Sequence, residues 1–139
     1  MKHRKLLCAL SIFHAITNTL YLVRFFGVFA PEPIVYGYVP WFMSYALPNV
    51  IFTLLAWVLV YSLCTKKDAL ATLTGLLVAG GLIFHASASF MFAFYTGSFM
   101  ELTLFNAIFE IMVYVYGLAL ATFYITQFWA IISKRSKEE

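Results

Sequence analysis

The chain has 139 residues, of which 63% are hydrophobic and 11% charged. Soluble domains run at about 45–50% apolar and about 25% charged, so a chain this short has no means of hiding its apolar surface from water. The formal net charge of +3 sits in short clusters between apolar runs, which excludes a basic nucleic-acid surface and reads as membrane orientation instead.

The basic cap MKHRK opens the chain and precedes an apolar run over residues 6–26. That run is longer than the core of a signal peptide and lacks a small-residue cleavage site, so it predicts a retained first span. Its polar residues Ser11, His14, Asn18 and Tyr21 step by three or four and form a stripe on one helix face. Such a stripe turns toward other helices rather than lipid.

Pro31, Pro33 and Pro40 mark residues 27–40 as a loop. The second span is expected at 41–63, with Trp41 at headgroup level. Pro48 inside it removes one helix hydrogen bond and predicts a kink, with the freed carbonyl near Ser44 met by water or a neighbouring side chain. Asn49 follows directly and shares a face with Tyr45 and Thr53.

The basic turn TKKD leads into a third span over 69–95, and Asp68 is expected to cap that helix. Ala71, Gly75 and Ala79 are spaced by four, a row of small residues that admits a close helix neighbour. Gly80 and Gly81 weaken the helix ahead of His85, which shares a face with Gly81 and Ser89. After a second loop at 96–101, the fourth span is expected at 104–129. It belongs to a run over 102–133 whose only charge is Glu110. A carboxylate near the centre of a span costs about 2.5–3.5 kcal/mol on insertion scales, so Glu110 calls for water, a proton or a partner. Gly117 and Ala121 lie close to the same face and join Ala71, Gly75 and Ala79 as helix-packing positions.

The architecture that follows is all-α: a single transmembrane domain, an integral membrane four-helix bundle with both termini cytoplasmic. Lys2, Arg4, Lys5, Lys66, Lys67, Lys134, Arg135 and Lys137 fall on one side of the four spans, and Arg24 alone at the other. The positive-inside rule makes the crowded side the cytoplasm and suits a cell-membrane protein. Cys8 and Cys64 lie near the cytoplasmic helix ends, where the solvent is reducing, and no C-x-x-C spacing occurs. Free thiols without redox chemistry are expected.

Counting from the cytoplasmic ends at about 1.5 Å per residue puts Asn18 roughly 20 Å deep, Asn49 roughly 22 Å, His85 roughly 25 Å, and Arg24 and Glu110 roughly 28 Å. Residues from all four helices therefore approach one level in the outer leaflet, with His14 the exception at roughly 14 Å. The plainer reading lets Arg24 and Glu110 snorkel to the headgroups while the amides and His85 bond between helices. Because Asn49 and His85 are too short to snorkel, the layer as a whole favours a polar pocket lined by Asn18, Arg24, Asn49, His85 and Glu110.

Such a pocket suggests a membrane protein that binds or passes a small or amphipathic ligand. The alternatives are an accessory subunit of a larger membrane complex or a homo-oligomer, and, third, an isomerase-type enzyme with Glu110 and His85 as an acid–base pair. Catalysis is not the preferred reading, since no hydrolase set, phosphate loop or zinc motif appears. No metal or other cofactor is expected. His14 and His85 differ by roughly 11 Å in estimated depth, which does not suit two axial ligands of one haem. Membrane lipid is the expected surrounding.

Overall fold

The computed structural model describes residues 3–27, 38–95 and 104–135, the side chains at 24–27, 38–46, 105, 106, 109, 110, 134 and 135 excepted. These residues form four helices: α1 Arg4–Gly27, α2 Tyr38–Cys64, α3 Asp68–Tyr95 and α4 Leu104–Arg135. No strand occurs among the described residues. The helices hold 24, 27, 28 and 32 residues. At about 1.5 Å per residue each exceeds the roughly 30 Å of a hydrocarbon core. Every expected span falls inside one of them, and all four are long and apolar enough to cross a membrane.

Exposure follows the same logic. In no candidate span is more than 33% of the most apolar stretch buried. Phe13, Leu20, Leu54, Phe94 and Trp129 are all more than half exposed. Apolar surface on this scale is a liability in water and ordinary in lipid.

The chain divides into two compact units, Met1–Gly75 and Leu76–Glu139, with the boundary inside α3. In the first, α1 and α2 pack along each other antiparallel: Cys8 meets Cys64 near one end, and farther along Trp57 Nε1 donates to Thr19 Oγ1 at 3.0 Å. Leu7, Ala15, Ala56, Leu59 and Leu63 supply its buried apolar side chains. Small side chains such as Ala15 and Ala56 let helices approach where lipid offers no hydrophobic drive to push them together.

The α2–α3 turn is closed by a cap on the end of α2. Lys67 N donates to Ser62 O and Thr65 N to Tyr61 O, both at 2.9 Å, while Lys66 takes a left-handed φ of 60°. This six-to-one bond around a left-handed residue is a Schellman-type stop, here built on lysine where glycine is usual. Asp68, expected to cap α3, pairs instead with the Arg4 guanidinium at the start of α1. A charge-assisted bond outweighs a bond to a neutral backbone N–H. As the first residue of α3, Asp68 still places its charge at the favourable end of the helix dipole.

In the second unit the remainder of α3 packs against α4. A side-chain carbon built on Gly117 would stand 4.0 Å from Ala86 Cβ. One turn on, the rings of Phe90 and Tyr114 meet edge to face with centroids 6.1 Å apart. Both helix pairs satisfy their hydroxyls locally: Thr17, Thr53, Thr72, Thr74, Thr122 and Thr126 each donate to a carbonyl three or four residues back. A threonine so bonded asks nothing of the lipid. Helix α2 runs continuously through Pro48, which has no N–H to give to the ladder. Ser44, named for the freed carbonyl, has its side chain outside the described residues.

Candidate functional site

A polar stripe along α1 is the most clearly built feature of the first unit. Ser11 is fully buried, His14 is 6% exposed and Asn18 is half-buried, so the stripe opens progressively along the helix. Asn18 Nδ2 and His14 Nε2 stand 3.2 Å apart, one turn from each other. That spacing of four is the one at which helical side chains meet. His14, set apart by depth in the sequence reading, is therefore bonded directly to a member of the proposed layer.

On α2, Thr53 is buried and donates to the Asn49 carbonyl at 2.8 Å, and Asn49 is half-buried. The antiparallel register set by Cys8 with Cys64 and Thr19 with Trp57 can be continued along both helices. It places Asn18 opposite the turn of α2 from Leu54 to Val58. The two amides thus sit more than a turn apart along the helices. Counting inward from each basic end gave nearly equal depths because it ignored the offset between the ends.

His85 lies half-buried on α3 in the second unit. Arg24 and Glu110 lie within α1 and α4, and their side chains fall outside the described residues. Among the described residues every buried side-chain nitrogen and oxygen has a hydrogen-bond partner. No group of three or more His, Cys, Asp or Glu able to hold a metal ion occurs among them.

The small-residue positions are covered. Ala71, Ala79 and Ala121 are fully buried, and Gly75 and Gly117 are buried too.

Two contacts at the basic end escaped the sequence reading: the Arg4–Asp68 ion pair and the approach of Cys8 to Cys64. Arg4 and Cys8 are four residues apart, as are Cys64 and Asp68. That matched spacing across a tight turn was the available signal. No family model, curated protein or solved structure matches the chain.

Proposed function

We propose that this is a multi-pass protein of the cell membrane, a four-helix bundle with both termini cytoplasmic, whose outer-leaflet polar pocket binds or passes a small or amphipathic ligand. The observation that carries the reading is the graded α1 stripe, sealed at Ser11 and opening by Asn18. A stripe that served only to glue helices would have no reason to open toward one end. In this reading Asn18, Asn49 and His85 present hydrogen-bonding groups, while Arg24 and Glu110 supply charge. Ala71, Gly75, Ala79, Gly117 and Ala121 hold the helices close enough to shape the pocket.

Orientation has a direct check. Cysteines introduced at Gly37 and Ser98 are expected to label from outside intact cells, and one at Ser136 only after the membrane is permeabilised. External labelling at position 136 overturns the orientation and the depths counted from it.

The pocket is checked by solvent access. In a chain with Cys8 and Cys64 replaced by Ser, Asn18→Cys, Asn49→Cys and His85→Cys are expected to react with a charged, water-soluble methanethiosulfonate. Leu54→Cys, at a site 61% exposed and facing lipid in this reading, is expected to resist it. Thiolates form in water and not in hydrocarbon, so the contrast reports a wet recess. If the three polar positions react no faster than position 54, the residues only bond between helices and the pocket is withdrawn.

A further inference from the structure

We propose that Cys8 and Cys64 are a redox-modification site: an intramolecular dithiol that a hydroperoxide converts reversibly to a disulfide, locking α1 to α2 at the basic end. The expectation of inert thiols rested on a reducing cytoplasmic side and on the absence of a local C-x-x-C motif. The fold makes the pair non-locally. Two residues separated by 56 positions have their Sγ atoms 3.3 Å apart, and both are free thiols. A disulfide bond is about 2.0 Å long, so roughly 1.3 Å of approach remains, within the reach of small side-chain rotations.

The surroundings hold the two sulfurs in place. One turn from Cys8 on α1, Arg4 is ion-paired to Asp68, which lies just across the turn from Cys64. Thr65 N and Lys67 N close that turn on α2 carbonyls, so the backbone on both sides of Cys64 is fixed. Holding the groups together turns a bimolecular encounter into an intramolecular step. Access is unequal: Cys64 is exposed and Cys8 half-buried, which suits an attacking thiol and a resolving one.

The chemistry balances with the peroxide as sole oxidant. The Cys64 thiolate attacks one peroxide oxygen, the O–O bond breaks, and water (or an alcohol, from an organic hydroperoxide) leaves with the proton. Cys64 is then a sulfenic acid. The Cys8 sulfur attacks the Cys64 sulfur, the S–O bond breaks, and a second water leaves. Two thiols and one hydrogen peroxide thus become one disulfide and two waters, the two electrons having passed to the peroxide. A thiol reductant reverses the oxidation by exchange. None of these steps depends on the proposed ligand or on which way the helices cross the membrane.

The test uses the full chain in membrane vesicles or detergent, treated with hydrogen peroxide, quenched, denatured and reacted with a maleimide–polyethylene glycol. Before oxidation both cysteines take up the polymer. After it neither is expected to, the chain running as a monomer without reductant, and dithiothreitol restoring both additions. The Cys8→Ser variant is expected to keep a sulfenic acid on Cys64 that dimedone traps. Unchanged polymer uptake, disulfide-linked dimers in place of the monomer, or a loss that dithiothreitol does not reverse would each overturn the proposal.

Discussion

Replacing Glu110 by Gln is expected to cost about 3–5 kcal/mol of stability, and adding Arg24→Gln in the same chain to recover part of that loss. The two residues are the only charges in the interior of their apolar runs, and each carries the sign the other lacks. Desolvation consumes much of the attraction within such a pair, so removing both charges is mild. Removing one leaves the other unpaired in a medium that cannot solvate it, and that is severe. A double-mutant cycle followed by thermal or detergent-denaturant unfolding reads the coupling directly. Strictly additive losses would show that the two do not interact. Glu110 would then have to hold a proton or reach water by another route, and a proton-linked site would replace the ion pair in the proposed pocket.

Phe128→Ala is expected to be the most damaging purely apolar substitution, at about 2–3 kcal/mol. Phe128 is fully buried, next to the equally buried Tyr124 with ring centroids 6.1 Å apart. In a soluble protein a buried Phe→Ala change costs about 3–5 kcal/mol, the sum of a transfer term and a cavity term. In the proposed membrane setting the transfer term falls away, because lipid is as apolar as the helix interior, and the lost packing remains. Val115→Ala, on the same helix at a residue 60% exposed, should change stability by less than about 0.5 kcal/mol, since acyl chains fill the space. Comparing the two unfolding midpoints in one detergent isolates the cavity. Equal losses would mean that position 128 is not packed as described.

The four long apolar helices were legible because hydropathy and length are local and additive along a chain. Each apolar stretch exceeds a bilayer thickness, and each is bounded by proline, glycine or charge, as at 27–40 and 65–68. The stripe of Ser11, His14 and Asn18 was legible too, since a helix period of 3.6 maps sequence spacing onto a face. Its most direct contact, Asn18 to His14, is a bond between residues four apart on one helix.

Tertiary structure alone decided which faces are covered and how one helix is set along another. These helices are apolar nearly all round, so periodicity says little about which side meets protein and which meets lipid. The Ala71–Gly75–Ala79 row reads equally well as an internal seam or an external docking strip. Its burial was settled by packing. Register is likewise absent from any single helix: the offset between Asn18 and Asn49 follows from Cys8 lying beside Cys64 and Thr19 beside Trp57. The partnership of Arg4 with Asp68 and the approach of the two thiols have the same origin. They join residues 64 and 56 positions apart, and only the antiparallel packing of α1 on α2 brings those positions to one place.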